Sequence, residues 1–484
     1  MTTFISTAIP YVNAKPHVGF AYELVLADII ARHRRRRGRA VQLVSGTDDN
    51  SLKNVVAATR EGVTTRALVD RNAAAFAALN PLLGIEPDEF VRTSCDPRHR
   101  ATVEALWRAC SDDLYRRAWT GRYCVGCEAF VDDDVAICDE HGVAPEPVSE
   151  ENWFFRLSRY RIPIREAIES GRLRILPDAA HAETLAFLAG DVRDLSVSRD
   201  ATRSSGWGIG VPGDPSQVIY VWFDALAYYL TPGTWRDLAR RTHVIGKGIV
   251  RFHAVYWPAF LLAAGLPLPD EIFVHGYLTV DGKKIGKSRH DLAPPPDTAT
   301  LVAAHGRDAL RWYFARRCRT RSDADVSVPA LRDAHDRDLS DRLGNLVQRC
   351  TTLAAKLTNG RVPPRTDDLR ALGEALPARV DTALDAFVPD EACAAIIELL
   401  DAANRALDRD APWRTGDPAA LYAPLEAARL AAAELSPIVP GVARVVLERL
   451  GDADDGAQWG LLEPGAVLRL GAPPVPRGRS SEAP

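Results

Sequence analysis

Methionine, lysine and cysteine are scarce in this sequence, and it has no long hydrophobic run. The 484 residues include one methionine, eight cysteines and seven lysines among 60 basic residues. The absence of an apolar stretch of about 18 residues argues against a membrane span, and the N-terminus lacks the features of a signal peptide. Cysteines dispersed along a chain are typical of a reducing compartment and not of a disulfide scaffold. We therefore expect a cytoplasmic protein that does not associate with a membrane.

The overall charge of the chain is small. A formal net charge of −4, with 46% hydrophobic and 26% charged residues, is ordinary for a globular protein and does not require a nucleic-acid partner. Residues 32–39 are strongly basic, which is compatible with a surface that contacts phosphates or with a solvated helix end, where basic side chains complement the helix dipole. The length predicts about two to four domains.

Three of the seven lysines lie together in residues 283–288, Lys-Lys-Ile-Gly-Lys-Ser. A lysine ammonium is a compact charge on a flexible stem, whereas an arginine guanidinium is a rigid fork. The segment follows a predicted strand and an Asp-Gly turn, and Gly286 allows it to move. It therefore indicates either a loop that holds phosphate groups as charge develops on them or a solvated basic loop.

A second candidate phosphate site lies near the N-terminus, where residues 10–20 read as a strand, a loop and the start of a helix. His17 stands at the predicted helix start beside Gly19, where a histidine can donate to a phosphate held at the helix N-terminus. The same pattern occurs in simple turns, so it is informative only in combination with the lysine segment. Together, the two segments predict a clamp for a triphosphate.

Cysteine and histidine are clustered in one segment, which reads Cys124-Val-Gly-Cys127 and then Cys138-Asp-Glu-His141. Two short pairs of soft ligands, with ten residues between them, match a tetrahedral zinc knuckle. Because four protein ligands leave no open coordination position, we expect the Zn²⁺ to be structural. The alternative is two unrelated pairs of side chains.

Strands and helices alternate in two parts of the chain, which predicts a parallel sheet with ligands at the carboxyl ends of its strands. Residues 64–115 read as mostly helical, and the segment up to residue 210 reads as an insertion between the two parts. From residue 330 the chain reads as a bundle of amphipathic helices, and residues 472–484 as a disordered tail. Strands are predicted at 4–9, 41–44, 218–223, 242–245 and 272–280, and helices at 23–37 and 252–264.

Taken together, these motifs resemble the class I aminoacyl-tRNA synthetases, and among them the methionyl-tRNA synthetases. His17-Val-Gly-Phe20 is similar to the family's His-Ile-Gly-His motif, and Lys284-Ile-Gly-Lys287-Ser288 is similar to its Lys-Met-Ser-Lys-Ser loop. The zinc pattern matches the family's inserted connective domain. The resemblance extends from residue 3 to about residue 440 and includes residues 194–199, 220–226 and 252–258.

The resemblance implies an α/β fold class, with a Rossmann-type parallel sheet that is split by a zinc-binding insertion and followed by an all-α bundle that binds the anticodon. The implied domains are the first half of the Rossmann catalytic domain at 1–115, the connective insertion at 116–210, the second half of the catalytic domain at 211–330, the helical anticodon-binding domain at 331–470 and a disordered tail at 471–484.

The implied activity is the ATP-dependent ligation of methionine to tRNA through a methionyl-adenylate, with Mg²⁺ accompanying ATP. Aromatic rings suit the methionine thioether because sulfur–aromatic contacts are favourable. The residues implied in the methionine pocket are Ile9, Tyr11, Trp222, Ala225, Tyr229, His253 and Trp257, with Asp48 as the acceptor for the substrate ammonium. Those implied in ATP binding are His17, Gly19, Phe20, Lys284, Lys287 and Ser288, and the implied catalytic residues are His17, Lys284, Lys287 and Arg199.

In the helical bundle, Asn345, Arg349 and Trp413 match the family's anticodon-reading residues. An aromatic side chain can stack on an unpaired base, while amide and guanidinium groups can hydrogen-bond to base edges. The resemblance therefore implies a tRNA partner with a CAU anticodon. No appended dimerisation or tRNA-binding module follows the bundle, so we expect a monomer.

Four positions depart from the family pattern. Phe20 replaces the second histidine of the first motif, Asp49-Asn50-Ser51 stands where Glu-His-Gly is usual, Gly246-Lys247-Gly248 stands where Gly-Lys-Asp is usual, and Gly286 replaces the loop serine. Loss of one positioned donor typically costs about 10²–10³ in rate, so these changes predict weakened but not abolished catalysis. They leave two alternatives open, namely a paralogue that activates methionine or an analogue for secondary metabolism or inhibitor resistance, and a catalytically weak tRNA-binding regulator.

Overall fold

The computed structural model describes residues 2–124, 129–131, 136–138, 143–280, 282–285 and 297–478. The chain divides into two compact units, each assembled from several chain segments. The first unit comprises Met1–Pro16, Arg39–Pro81 and Glu86–His275, and the second comprises His17–Gly38, Leu82–Ile85 and Gly276–Pro484.

The strands lie mainly in the first unit. In chain order they are β1 (Thr3–Thr7), β2 (Val41–Thr47), β3 (Glu89–Arg92), β4 (Leu114–Cys124), β5 (Ala129–Val131), β6 (Glu146–Phe155), β7 (Arg174–Leu176), β8 (Leu195–Ser196), β9 (Ser198–Asp200), β10 (Gly210–Val211), β11 (Asp214–Ile219), β12 (Arg240–Gly246), β13 (Glu271–His275), β14 (Leu278–Val280), β15 (Lys283–Lys284) and β16 (Ala324–Asp325).

The α-helices dominate the second half of the chain. In chain order they are α1 (Val18–Arg36), α2 (Leu52–Glu61), α3 (Thr65–Leu83), α4 (Pro97–Ala109), α5 (Arg161–Glu169), α6 (Asp178–Ala189), α7 (Val221–Ala227), α8 (Trp257–Ala263), α9 (Thr298–His305), α10 (Arg307–Arg317), α11 (Val328–Ala334), α12 (Asn345–Leu357), α13 (Arg370–Asp385), α14 (Pro389–Asp410), α15 (Pro412–Thr415), α16 (Tyr422–Leu435) and α17 (Pro440–Arg449). Two π-helical segments, Phe252–Tyr256 and His335–Gly344, directly precede α8 and α12.

Six strands form one fully parallel sheet in the order β3–β2–β1–β12–β13–β7. Its two central strands are largely buried, and the side chains of Phe4 and Ile5 in β1 and of Val244 and Ile245 in β12 are inaccessible to solvent. The strand order reverses between β1 and β12, because β2 follows on one side and β13 on the other. In such sheets the crevice at the carboxyl ends of the two central strands is the usual ligand site. The predicted α/β class with a parallel sheet is confirmed.

The segment predicted as an insertion at 116–210 is partly integrated into this sheet. Strands β4, β5, β6 and β8 form an antiparallel sheet of their own, and β9, β10 and β11 form another. Strand β7, however, pairs with β13 through Ile175 and Ile272 and forms the edge of the main sheet. The boundaries of the predicted domains stay a prediction.

Residues 64–115 are mostly helical, as predicted, although β3 separates α3 from α4. Four residues are too few to reveal an alternating pattern. Two other local predictions of secondary structure are wrong. The strand predicted at 218–223 ends at Ile219, and α7 starts at Val221, since a short apolar run does not distinguish a strand from a helix. The strand predicted at 272–280 is two strands, β13 and β14.

The second unit is mainly helical, as predicted for the C-terminal region. Its core holds a buried ion pair, in which Arg311 of α10 contacts Asp28 of α1 at 2.7 Å. The same guanidinium donates to the main-chain oxygens of Leu83, Pro437 and Ile438 at 2.7–3.2 Å. A buried charge is costly unless it is paired and hydrogen-bonded, and these bonds meet that requirement while tying α1 and α10 to the chain before α17.

The tail predicted to be disordered is ordered over its first part. Val475 is 3% exposed and packs against Gly344, and its main-chain oxygen accepts a bond from Ser340 Oγ at 2.9 Å. Arg477 forms a two-pronged ion pair with Asp341, at 2.6 and 2.9 Å. The disorder prediction is therefore wrong for residues 472–478, because a proline-rich segment without helical or strand periodicity can still dock through single anchors. Residues 479–484 lie outside the described part.

Within the described ranges, no helix combines the length and the apolar character that crossing a membrane requires.

Candidate active site

The candidate site of the first unit lies where β1, β2 and β12 end. Tyr11 follows β1, Asp48 follows β2, and the helical segment with His253 follows β12. Tyr11 and Asp48 form an isolated parallel bridge, and the Asp48 main-chain N–H donates to the oxygen of Pro10 at 2.9 Å. The sheet therefore brings together residues that are far apart in the sequence.

Aromatic side chains form a connected cluster at this edge of the sheet. Trp222 of α7 meets Tyr11 edge-on at 6.4 Å between ring centroids and His253 at 6.1 Å. The Trp222 ring stacks on the Phe252 ring with 3.7 Å between ring centroids, which fixes the plane of the indole. Tyr229 approaches Trp257 at 5.7 Å. The predicted pocket residues Tyr11, Trp222, Tyr229, His253 and Trp257 are thus neighbours.

Two smaller apolar residues complete the predicted set. Ala225 follows Trp222 by three residues on α7 and is 5% exposed, and Ile9 is half-buried against the core of the first unit. Residues three apart lie on the same helix face, which places Ala225 beside the indole. Sequence reasoning missed Phe252, although the residue stands inside a segment that had already been singled out.

A buried hydrogen-bond chain runs through the cluster. Tyr229 Oη lies 2.8 Å from His253 Nε2, and His253 Nδ1 lies 2.8 Å from the main-chain oxygen of Ile249. A carbonyl oxygen only accepts, so Nδ1 carries the proton and Nε2 accepts from the tyrosine hydroxyl. His253 is therefore held as one neutral tautomer with both ring nitrogens satisfied.

His243 of β12 belongs to the same cluster, and sequence reasoning missed it. Trp257 Nε1 donates to His243 Nε2 at 3.2 Å, and His243 Nδ1 lies 2.7 Å from Ser6 Oγ. An indole only donates, so Nε2 accepts and Nδ1 donates to the serine. The His243 ring also lies 4.0 Å from the Tyr229 ring. A single histidine in a buried strand carries no motif, so no sequence signal pointed to it.

Both histidines have pKa values lowered by their environment. Burial lowers the pKa of His253 to about 4. Burial, with the neighbouring His253 as a smaller cause, lowers the pKa of His243 well below its usual range. Both imidazoles in the aromatic cluster are therefore uncharged near neutral pH.

The loop after β2 carries Asp48 and the unusual Asn50. Asp48 is 2% exposed, and its Oδ1 accepts from the Asn50 main-chain N–H at 3.2 Å. The Asn50 side-chain amide donates to Asp224 Oδ2 at 2.7 Å, and the other oxygen of Asp224 lies 2.5 Å from His99 Nε2. Asp224 and His99, which sequence reasoning also missed, thus anchor the amide that stands where the family usually has histidine.

Arg199 is held rigidly in the first unit beside a small cavity. Its guanidinium lies over the Tyr220 ring at 4.3 Å and over the Tyr123 ring at 5.4 Å. Its Nη1 donates to the main-chain oxygens of Ser196 and Ser198 at 3.2 and 2.7 Å. The cavity, of about 40 Å³, is lined by Arg199 together with residues that include Asn50, Arg203, Trp207 and Tyr220.

His17 of the second unit is the N-cap of α1. Its Nδ1 accepts from the Gly19 main-chain N–H at 3.1 Å, so the ring proton of the neutral form sits on Nε2, which is a donor. Phe20 packs against the His17 ring, with 4.3 Å between centroids. The predicted helix start with a histidine beside a glycine is therefore present, and Phe20 acts as a packing partner of that histidine.

The lysine segment is described only in part. Lys284 lies in β15, which pairs with β14 through Thr279, and Gly282 has a φ of 71°, as a tight hairpin turn requires. Lys287 and Ser288 lie outside the described residues. The predicted strand and hairpin that lead into the lysine segment are thus present.

The predicted zinc ligands are also described only in part. Cys124 ends β4 and is fully buried, and Cys138 is 5% exposed. The Cys138 main-chain N–H donates to the oxygen of Val143 at 2.8 Å. Cys127 and His141 lie outside the described residues, and within the described ones no group of three or more His, Cys, Asp or Glu side chains is placed to hold a metal.

The three predicted anticodon residues lie at one end of α12 and at α15. Asn345 is exposed and begins α12, and Arg349 follows one turn later on the same face. The Arg349 guanidinium lies 5.3 Å over the ring of Trp413, which is 46% exposed, and pairs with Asp408 at 2.6 Å. The second unit therefore joins Arg349 and Trp413 into one exposed surface.

Comparison with known proteins shows similarity over almost the whole chain. The family model described as tRNA synthetases class I (M) matches residues 3–143 and 135–351. The methionine–tRNA ligase of Thermosynechococcus vestitus is 37% identical, over 95% of this chain and 94% of its own length. The methionine–tRNA ligase of Mycobacterium bovis is 37% identical, over 96% of each chain.

Solved structures show the same extent of similarity. The Mycobacterium tuberculosis methionyl-tRNA synthetase in complex with methionyl-adenylate has a TM-score of 0.92 and 35% identity, covering 98% of this chain and 100% of that one. The apo form of the same enzyme has a TM-score of 0.86 and 33% identity, covering 99% and 98%. Sequence and fold thus agree with the resemblance seen in the motifs, and the chain belongs to the methionyl-tRNA synthetases of class I.

Proposed function

We propose that this protein ligates methionine to tRNA, using ATP and passing through a methionyl-adenylate. The observation that carries the proposal is the buried aromatic cluster at the carboxyl ends of β1 and β12, in which Tyr229 and His253 are joined by a hydrogen bond of 2.8 Å. The relatives named as methionine–tRNA ligases and the relative solved with methionyl-adenylate support it.

The pocket suits a thioether. Sulfur–aromatic contacts contribute about 0.3–1.5 kcal/mol each, and the rings of Tyr11, Trp222 and Trp257 offer several such contacts. A neutral His253 places no buried charge against the substrate side chain, whereas an imidazolium would oppose an apolar ligand. Ile9, Ala225 and Tyr229 fill out the pocket, and Asp48 accepts the hydrogen bond of the substrate ammonium.

In the first step, a methionine carboxylate oxygen attacks the α-phosphorus of ATP, and the bond from that phosphorus to pyrophosphate breaks. Negative charge grows on the transferred phosphoryl group and on the leaving pyrophosphate, so preorganised donors and cations accelerate the step. His17 donates from Nε2, and Lys284 and Lys287 supply ammonium groups. Gly19, Phe20 and Ser288 complete the nucleotide site, and Mg²⁺ accompanies ATP as part of the substrate.

Arg199 also stabilises the charge that develops in this step. Its side chain is fixed by two tyrosine rings and by main-chain oxygens, so little conformational freedom is lost when it meets an anion. In the second step, a hydroxyl of the 3′-terminal ribose of tRNA attacks the aminoacyl carbonyl, and AMP leaves. The anticodon contacts Asn345, Arg349 and Trp413, which read a CAU triplet.

A structural Zn²⁺ is part of the proposal. Cys124 and Cys138 are buried thiols in the spacing of a zinc knuckle, which fits the metal because thiolates are its preferred ligands. Cys127 and His141 would complete the ligand set. Bound zinc would supply folding energy to this segment and would take no part in the reaction.

Two measurements on the purified protein test the proposal. Pyrophosphate exchange across a panel of amino acids reports adenylate formation, and charging of tRNA with a CAU anticodon reports transfer. We expect exchange that depends on methionine, followed by charging. Absence of exchange at high enzyme concentration would exclude an enzyme that activates amino acids. Exchange without charging would favour a paralogue that activates methionine for another purpose.

A further inference from the structure

The few lysines of this arginine-rich chain lie at particular places in the fold. Outside residues 283–287, four remain, namely Lys15, Lys53, Lys247 and Lys356. The first three follow β1, β2 and β12, which are neighbouring strands of the parallel sheet in the first unit. The carboxyl ends of parallel strands meet at one edge, where such sheets bind ligands. Ammonium groups are therefore concentrated at the edge that carries the aromatic cluster.

Lys53 has the most informative surroundings of these lysines. Its Nζ lies 4.7 Å from the centroid of the Tyr11 ring, a cation–π contact that holds the ammonium beside the aromatic cluster. With the residues that the structure describes, this ammonium makes no hydrogen bond or ion pair, so its three N–H donors are available to a ligand. Local structure does not explain the charge, because Lys53 stands in the first turn of α2, where the helix dipole disfavours a cation.

The first turn of α2 is fixed relative to Asp48. Ser51 caps the helix, and its Oγ accepts from the Lys53 main-chain N–H at 3.1 Å. The fully buried Asn54 donates from Nδ2 to the main-chain oxygens of Asp48 and of the next residue, at 3.2 and 2.8 Å. Asp48 in turn forms the bridge with Tyr11, over which the ammonium lies. One loop and one helix turn therefore hold a carboxylate and an ammonium beside the same ring.

An α-amino acid carries an ammonium and a carboxylate on one carbon, and these two protein charges have the complementary signs. We propose that the Lys53 ammonium binds the α-carboxylate of the substrate amino acid, while Asp48 accepts from the substrate ammonium. The inference rests on the proposed function and names the group that orients the attacking carboxylate.

The consequence for the first step concerns the two oxygens of the substrate carboxylate. Lys53 donates to one oxygen, and the other forms the bond to the α-phosphorus of ATP. The bond from that phosphorus to pyrophosphate breaks, and its electron pair leaves with the pyrophosphate. Lys53 neither gains nor loses a proton, and its fixed positive charge stabilises the anionic reacting groups.

The test compares L-methionine with L-methioninol, which keeps the ammonium and the thioether and lacks the carboxylate. Calorimetry without ATP measures the Kd of each ligand. For Lys53→Gln we expect the Kd of methionine to rise by about tenfold or more, as the loss of a hydrogen bond between charged groups predicts. The Kd of methioninol should stay within about twofold of the parent value, which also shows that the variant is folded. Lys53→Arg keeps the positive charge and should retain most of the affinity for methionine.

Arg60→Gln is the matched control, because it removes one positive charge from an exposed position in the last turn of the same helix. It should leave both Kd values unchanged. The inference is overturned if Lys53→Gln binds methionine as the parent does, or if Arg60→Gln shows the same loss. It is also overturned if Lys53→Gln weakens methionine and methioninol equally, as a purely structural contact with Tyr11 would. A parent protein that binds methionine but exchanges no pyrophosphate would overturn the proposed function, and the two ligands would still decide the role of Lys53.

Discussion

The hydroxyl of Tyr229 lies 2.8 Å from Nε2 of His253, and that bond decides the chemical character of the candidate pocket. It leaves the proton of the imidazole on Nδ1, where the main-chain oxygen of Ile249 accepts it. The cluster thereby presents aromatic rings and a neutral histidine, with charged groups at its Tyr11 edge, where Asp48 forms a bridge and Lys53 lies 4.7 Å over the ring. Several measurable consequences depend on this arrangement.

Tyr229→Phe should weaken methionine binding. The change leaves a buried ring nitrogen of His253 without its donor, which typically costs about 1–3 kcal/mol, so we expect the KM for methionine in pyrophosphate exchange to rise by about tenfold. Tyr228→Phe is the matched control, because it also removes a buried hydroxyl, one that donates to the main-chain oxygen of Thr7. That variant should lose stability without a change in this KM. Equal shifts in both variants would contradict the assignment of Tyr229.

The stability of the fold should fall as the pH is lowered from 6.5 towards 4. Burial lowers the pKa of His253 to about 4 in the folded protein, while the unfolded chain has a histidine pKa of about 6.5. Between these values the unfolded state binds more protons, so acid favours unfolding, by about 3 kcal/mol for this group once the pH is below both pKa values. Urea unfolding at pH 7 and pH 5 measures the loss.

His253→Gln removes this titration and should make the free energy of unfolding less dependent on pH in that range. His243 contributes with the same sign, since burial also lowers its pKa, so part of the dependence should remain. His181→Gln, at a half-buried position in α6, serves as the control. An unchanged pH profile for His253→Gln would show that this histidine is not buried as described.

Trp413→Ala should impair tRNA charging and leave adenylate formation nearly intact. The ring is 46% exposed and carries Arg349 on one face at 5.3 Å, so it is available to a base. Losing one base stack costs about 1–3 kcal/mol, which predicts a rise of about tenfold in the KM for tRNA. Trp413→Phe keeps an aromatic face and should retain most of the charging activity. If exchange fell as much as charging, the role assigned to Trp413 would be wrong.

Phe20→His should accelerate pyrophosphate exchange. Phe20 packs against His17 and cannot donate to a phosphate, and one positioned donor is worth about 10²–10³ in rate where it is well aligned. We therefore expect kcat to rise by about tenfold or more. Phe20→Leu removes the ring without adding a donor and should not accelerate the reaction. If Phe20→His exchanges pyrophosphate no faster than the parent protein, position 20 does not face the nucleotide.

Cys138→Ser should abolish zinc binding. A tetrahedral thiolate site loses most of its affinity when one ligand is replaced, so the purified variant should contain less than one Zn²⁺ per chain and unfold at a lower temperature. Cys95→Ser is the control, because Cys95 is an exposed thiol outside the pattern. Zinc content by atomic emission and the unfolding temperature provide the readouts. A parent protein without zinc would refute the proposed ligand set.

Short motifs predicted much of the fold and of the candidate pocket. The helix start at His17, the turn at Gly282 and the aromatic segments after β11 and β12 are contiguous in the chain, so a reader of the sequence can find them. Strand β3 was not predicted because four residues are too few to show an alternation of apolar and polar side chains. The docking of Val475 was not predicted because one buried side chain in a proline-rich segment produces no periodic pattern in the sequence.

The residues alone determined the family and the reaction class, because the phosphate, methionine and anticodon motifs are each local and occur together in one chain. Only the tertiary structure decided the protonation of the pocket, since His243 meets Ser6 across 237 positions and His253 depends on Tyr229. It also decided which arginine is held in a fixed position. Arg199 is an ordinary member of an arginine-rich sequence until the fold sets it over the rings of Tyr123 and Tyr220, because such a contact is a property of packed elements and not of any one segment.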